Sequence, residues 1–488
     1  MTGVPGGQSG GAAKLQRTVG AGQYFTLAFG TIVGVGWIVV LGSWLDHAGP
    51  FGAIVAFALG GAIIMLVGLC YGELAAMFPV SGGEFAYAYE IFGLRSAFVV
   101  GWALLLNYMA AVAYVSLSAA WIVDALVPGI RGPALYTFRG GEVRLGSLIV
   151  ASTVTAGLTI INYRGVKSAT RLQDWLTYGK IVIALVFLTA GFVAGSAANL
   201  EPPFKVDASG SIIPGILGVL VVTPWFYGGF NTVPQAMEER STGVSLQSVG
   251  RMILLSIGVG IAFYCLVILS ASMVVPWKEL VAMDLPAATA FQVAFRSSFL
   301  AKVVLLSGLF GVITVGNGTA FAGTRLLFAL SRAQIITPRF AAVHPRFGSP
   351  HRAVLFVGGI AAIALLLGRN GILPIISVGG TCLSLGYATV CLGTLRLRRK
   401  DPARHRPFGV PGGAVTAAVA SVSAVALLGL SLYEPVAANK GIPLELWTLI
   451  AWAAIGLGVW AAARSNRSRI PESARRELIV NAADSSLQ

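Results

Sequence analysis

The chain has 488 residues, of which 56% are hydrophobic and only 11% charged, with a mean hydropathy of +0.80. Soluble domains carry about 25% charged residues, so a water-soluble multidomain protein is excluded, and disorder requires the opposite composition. The formal net charge of +15 sits in short loops between apolar runs, where it reports membrane topology rather than nucleic-acid binding.

Residues 1–22 are expected to form a cytoplasmic tail, small, polar and Gly-rich over Met1 to Ala13, without the basic-then-apolar layout of a cleavable signal peptide. The first span is expected to serve as its own insertion signal. A membrane-crossing helix needs about 20 mostly apolar residues. Twelve such spans are predicted, at 23–46, 51–78, 95–126, 146–161, 175–194, 212–236, 249–275, 302–330, 353–367, 373–395, 413–433 and 446–463. These runs lack the alternation of membrane strands, so the fold class is all-α. The organisation divides into a first half at 23–195 and a connecting loop at 196–211. A second half follows at 212–395, then a basic loop at 396–412 and two further spans within 413–463. The tail at 464–488 is polar and expected to be mobile from residue 470.

Lysine and arginine set the orientation. Loops on the side of the two termini hold more than twice as many as the opposite loops, including the run Arg396, Arg398, Arg399, Lys400, Arg404 and Arg406. Both termini are therefore expected in the cytoplasm, with the chain multi-pass in the cell membrane. Cys70, Cys265, Cys382 and Cys391 lie inside apolar runs and read as packing thiols. No metal-ligand spacing, phosphate loop or nucleophile motif is visible, so neither an enzyme nor a cofactor is expected.

Two spans do not read as simple helices. The first carries Gly30, Gly34, Val35 and Gly36 at mid-depth, and the sixth carries Pro224-Trp225-Phe226-Tyr227-Gly228-Gly229-Phe230-Asn231. Glycine costs about 1 kcal/mol in a helix interior and proline about 3. Unwound backbone is tolerated in a bilayer only where it lines a cavity or is buried in protein. Spans one and six are corresponding members of two five-span halves, the pattern of an inverted-repeat transporter. A half-helix N-terminus there suits a carboxylate, and opposing carbonyls suit an ammonium. The alternative for Gly30 and Gly34 is a helix-packing surface, which is how Gly60-Gly61 and Gly379-Gly380 are read.

These residues carry a family likeness. Gly34-Val35-Gly36 resembles the broken first helix of the amino acid–polyamine–organocation superfamily of permeases. The run from Glu73 through Pro79 and Gly82-Gly83-Glu84 resembles its second-helix exit. Tyr227 to Asn231 followed by Glu238-Glu239 resembles the sixth helix, Asn317 to Arg325 the eighth, and Arg406 to Gly412 the loop after the tenth. The fifth, sixth and eighth helices are most similar to the L-type branch. The resemblance implies a LeuT-type fold, a 5+5 inverted repeat plus two peripheral helices. It also implies alternating access, with substrate held between helices one, three, six and eight. Gly34, Val35 and Gly36 would then face the carboxylate, and carbonyls around Trp225–Gly228 the ammonium. Trp225, Phe226, Tyr227 and Phe230 could form an aromatic lid, with Tyr108 as another pocket candidate; the alternative for each is ordinary lipid-facing or core packing. Val35 stands where many relatives have serine. The loop 127–145 holds no cysteine, so no disulfide-linked partner subunit is expected.

Charges at membrane depth are candidate functional groups. Lys180 reads either as a snorkelling lysine or, by the resemblance, as a replacement for the sodium of sodium-coupled relatives. In the second reading it bridges the first break to Thr319 or Thr324 and can carry a proton. Glu73 and Arg325 lie at similar depth, as a structural pair or gate latch or in a substrate role. Glu84, Glu90, Glu238 and Glu239 read as gate or loop ion pairs. Asn231 occupies a position where several relatives have a carboxylate, which favours neutral substrates. The expected function is sodium-independent, proton-coupled import of neutral amino acids. An exchanger, a polyamine or ethanolamine carrier and a non-transporting receptor remain open alternatives. No nucleic acid partner is expected.

Overall fold

A computed structural model describes residues 15–283, 285–438 and 442–480. The expectations for 1–14 and 481–488 lie outside it. Among the described residues, eleven helical stretches are long and apolar enough to cross a bilayer. One of them, His351–Lys400, spans 50 residues, which as straight helix would reach about 75 Å, against a hydrocarbon core of about 30 Å. It is two crossings: a helix over His351–Ala364, a tight turn through Leu365–Leu367, and a new helix from Gly368 at φ 61°. The predicted twelve crossings are thus present.

The opposite merger occurs earlier. Helix Leu41–Met77 contains the end of the first crossing and all of the second, divided at Gly49, φ 70°, and Pro50. A Cβ at Gly49 would sit 2.7 Å from the Lys205 backbone nitrogen, so only glycine lets the loop 196–211 close over this corner. The remaining crossings are Leu94–Leu126, Leu145–Tyr163, Val166–Ala194, Ile213–Phe226 with its continuation to Glu239, Leu246–Val274, Ser298–Arg332, Gly413–Ala438 and Leu444–Ala462. The last is peripheral: Gly456 is its one buried residue, packed on Trp102, and Trp452 stacks on the same indole at 4.5 Å.

Several elements were not predicted, among them the short helices Trp277–Val281 and Pro286–Phe295 between the seventh and eighth crossings. The loop after the third crossing forms an antiparallel hairpin, Ala134–Phe138 with Gly141–Arg144. A short helix, Glu84–Phe92, lies between the second and third crossings. The tail expected to be mobile beyond 470 is helical over Glu472–Ile479. It docks on that short helix through Tyr89 Oη to Glu472 at 2.6 Å and Arg476 to Glu90 at 2.6 and 2.9 Å.

The first and sixth crossings meet at their breaks. Gly229, at φ 146°, lies so close to the first crossing that a Cβ would stand 2.6 Å from the Ile32 nitrogen and 2.7 Å from the Thr31 carbonyl carbon. Gly311 and Gly318 bring the eighth crossing against Gly34 and Thr31 in the same way. Gly229→Ala should therefore lose on the order of 1–3 kcal/mol from backbone conformation alone, with the clash in addition. Its thermal unfolding midpoint in detergent is expected to fall well below that of Gly429→Ala, where a Cβ meets nothing within 4 Å.

Candidate functional site

The first crossing is helical over Ala21–Ile32, non-helical at Val33–Val35, and helical again from Gly36. The break leaves carbonyls that a continuous helix would have used. Lys180, buried in the fifth crossing, takes two of them: its Nζ donates to Gly30 O at 2.7 Å and Val33 O at 2.6 Å. Its third bond goes to Thr314 Oγ1 at 3.0 Å. An ammonium has three protons to give, and all three are placed. The cation also lies at a half-helix C-terminus, where the peptide dipoles favour positive charge. Tyr264 Oη donates to Ile32 O at 3.0 Å. The N–H groups of Gly34, Val35 and Gly36 are not spent within the break.

The expected partners of Lys180 need correction. Thr319 lies five residues beyond Thr314, about 8 Å along a helix, and its hydroxyl bonds back to Val315 O. Thr324 is deeper still, bonding Phe321 O and accepting from Arg325. Thr319 instead lines the cavity described below.

The sixth crossing stops at Phe226 and resumes as tight turns over Phe230–Thr232 and Pro234–Glu239. Asn231 holds the gap. Its Oδ1 accepts from Gly229 N at 3.0 Å, and its Nδ2 donates to Tyr108 Oη at 2.8 Å. A side-chain amide can do both at once; a carboxylate would have no proton for the phenol oxygen.

Between the two breaks lies a cavity. Gly34, Val35, Gly36, Tyr108, Trp225, Phe226, Gly228 and Asn231 all line it, and Thr319 joins them. Phe230 does not. It is fully buried behind the break, stacked on Tyr387 at 5.4 Å and edge-on to Tyr71 at 5.0 Å. Tyr227 is likewise turned away, donating to Phe57 O at 2.8 Å. Thr31, Asn107, Tyr114 and Tyr264 line the cavity without having been anticipated. None of the lining residues is charged. Sequence spacing could not reveal Thr314 or Tyr264, because each meets the first crossing only through packing of distant helices. The stripe Gly308, Gly311 and Gly318 was the available signal that the eighth crossing approaches closely.

The end of the bundle where the described chain begins at Leu15 and ends at Val480 is sealed by ion pairs. Arg325 and Glu239 form a fully buried bidentate pair at 2.9 and 3.2 Å. The Arg325 guanidinium also lies 3.7 Å over the Phe321 ring. Arg332 pairs with Glu238 at 2.6 Å, and Glu238 accepts from Ser81 N. The backbone N–H groups of Thr18 and Val19 both donate to Glu239 O at 2.9 Å, tying the N-terminal segment across the sixth crossing. Glu73 and Arg325 do not pair with each other. Glu73 instead accepts from Arg398, Arg406 and Val410 N, anchoring the basic loop. Glu90, Glu238 and Glu239 have arginine partners, whereas Glu84 has none among the described residues.

Comparison with known proteins agrees with this geometry. The amino acid permease family model matches residues 20–460. The chain is 26% identical to the branched-chain amino acid permease BcaP of Bacillus subtilis (strain 168), over 82% of this chain and 85% of that protein. It is 28% identical to the methylthioribose transporter of the same organism, with the same coverage. It is 26% identical to the human Asc-type amino acid transporter 1, over 83% of this chain and 76% of that one.

The buried pair at the sealed end makes a measurable prediction. Glu239→Gln strands the Arg325 charge, a loss of about 3–5 kcal/mol when a buried pair is broken on one side. The double change Glu239→Gln with Arg325→Met removes both charges and should unfold at a higher temperature than the single change.

Proposed function

The chain belongs to the amino acid permease family, and from that premise we propose that it imports neutral amino acids by proton-coupled, sodium-independent alternating access. Membership makes it a multi-pass membrane protein of an amino acid transport family and not an enzyme. The observation that carries the finer reading is the cavity at the paired breaks, whose lining holds free backbone polar groups and no charged side chain. A zwitterion's carboxylate fits the unspent N–H groups of Gly34, Val35 and Gly36, and its ammonium fits carbonyls around Trp225–Gly228. A cationic side chain would enter the same cavity without a counter-charge, which is costly. Val35 offers no hydroxyl, so the backbone alone serves the carboxylate at that position.

Lys180 supports sodium independence. Its ammonium bonds two carbonyls of the first break and a hydroxyl of the eighth crossing, a set of oxygens suited to a cation. The charge is supplied by the fold and needs no co-transported metal ion. With both termini on the lysine- and arginine-rich side, the sealed end faces the cytoplasm of the cell membrane. Rocking of one helical group against the rest would open that seal and close the other end. Arg369 stacks 4.1 Å over Trp121 at the far side of the cavity, where Val35 and Tyr114 also lie.

Uptake in sodium-free proteoliposomes tests this. A labelled mixture of alanine, serine and leucine should accumulate with an inward proton gradient and only equilibrate without one. Absence of accumulation in either condition would overturn proton symport and direct attention to exchange. Lys180→Ala takes the donor from two buried carbonyls, at about 1–3 kcal/mol for each stranded group, while the Thr314 hydroxyl keeps its bond to Gly311 O. It should abolish gradient-driven accumulation; accumulation at the wild-type level would refute the role given to Lys180.

A further inference from the structure

Glu84 is a fully buried carboxylate at the sealed end that has no lysine or arginine partner among the described residues. It opens the helix Glu84–Phe92. Its Oε1 accepts from Tyr71 Oη at 3.0 Å, and its Oε2 accepts from Gln235 Nε2 at 2.7 Å. The charged groups nearby are committed elsewhere. Glu73 of the second crossing is held by Arg398 and Arg406, Glu239 of the sixth by Arg325 of the eighth, and Glu238 by Arg332. The titratable groups facing Glu84 are phenols: Tyr71 of the second crossing, Tyr87 of its own helix, Tyr108 of the third and Tyr387 of the tenth. A buried carboxylate without a cation favours its neutral form. Burial pushes the Glu84 carboxyl up to about 7.

The surroundings accept both protonation states. The Gln235 Oε1 is buried without a hydrogen-bond partner. Turning the Gln235 amide over presents that oxygen to a protonated Glu84, while the arrangement seen presents Nε2 to an ionised one. The site is also tied to substrate. Gln235 belongs to the far half of the broken sixth crossing, four residues after Asn231, which hydrogen-bonds Tyr108 at the cavity wall. Gly83, at φ 42°, holds the loop so near that half that a Cβ would meet Pro234 at 2.8 Å and Gln235 at 2.9 Å. A shift of the sixth crossing relative to the helix Glu84–Phe92 would break the Gln235–Glu84 contact.

We propose that Glu84 binds the coupling proton, held between Tyr71 and Gln235 while the cytoplasmic seal is closed and released when the sixth crossing moves away. This deepens the proton-symport reading and rests on it. The sign follows from linkage. In the closed state the carboxyl keeps its proton to about pH 7; exposed to water, its pKa would return towards about 4.3. Preference for the closed state is full below the exposed value and is lost as pH rises through the closed value. Opening to a neutral cytoplasm then discharges the proton.

The test uses wild type, Glu84→Gln and Tyr71→Phe in sodium-free proteoliposomes with labelled alanine, serine and leucine. Two assays are run: exchange against preloaded unlabelled substrate across a pH series, and accumulation driven by an inward proton gradient. Glu84→Gln should exchange at a rate comparable to wild type with a flattened pH profile, while its gradient-driven accumulation falls to the equilibrated level. Tyr71→Phe removes a donor to the ionised form, so its exchange midpoint should move to higher pH. This second variant decides the matter if Glu84→Gln does not fold. Wild-type accumulation by Glu84→Gln, or an unshifted midpoint in Tyr71→Phe, overturns the assignment of Glu84 alone. Failure of wild type itself to accumulate overturns the symport reading and the coupling role with it.

Discussion

Interrupting a helix inside a bilayer exposes carbonyls and N–H groups where no water can meet them, and each one left unpaired costs several kcal/mol. The structure is organised around discharging that cost at two places. At the first break the carbonyl end is taken by a buried ammonium, Lys180, and a phenol, Tyr264. At the sixth, Asn231 closes the gap from within and fastens it to the third crossing through Tyr108. The N–H end of the first break is left unspent, and it is this end that faces the cavity. Donors with no internal acceptor are what the proposed substrate carboxylate would satisfy.

Close approach makes the arrangement possible. Gly229 lets one break lie against the backbone of the other, and Gly311 and Gly318 let the eighth crossing reach the first. In lipid, helices gain little from hydrophobic contact, so small residues and buried hydrogen bonds carry the association. An amide chain does the same work one layer out. Asn162 donates to Asn317, Asn317 donates to Gln173, and Gln173 donates to Thr26 O of the first crossing. Four crossings are thereby bound into one frame around a segment that is itself irregular.

The two kinds of carboxylate at the sealed end behave differently for a physical reason. Glu73, Glu238 and Glu239 each face a guanidinium, which offsets their desolvation and fixes them as struts. Glu84 faces phenols and an amide, which supply hydrogen bonds without charge. Struts hold one geometry; an uncompensated carboxyl changes its charge when its exposure changes.

The membrane class, the twelve crossings and the two breaks were legible in the sequence, because apolar run length and glycine–proline placement act locally along the chain. So were most residues of the cavity wall, since a broken helix necessarily presents its own break. Partnership was not legible. Lys180 could be placed near the first break, yet its hydroxyl partner is Thr314 rather than Thr319 or Thr324. Glu73 and Arg325, similar in depth, turned to different partners. Phe230, adjacent to wall residues in sequence, packs behind the wall. Depth in the membrane is a one-dimensional quantity that the sequence by itself determined. Which face of each helix meets which neighbour depends on helix rotation and close packing across more than a hundred residues of chain, and only the tertiary structure decided it.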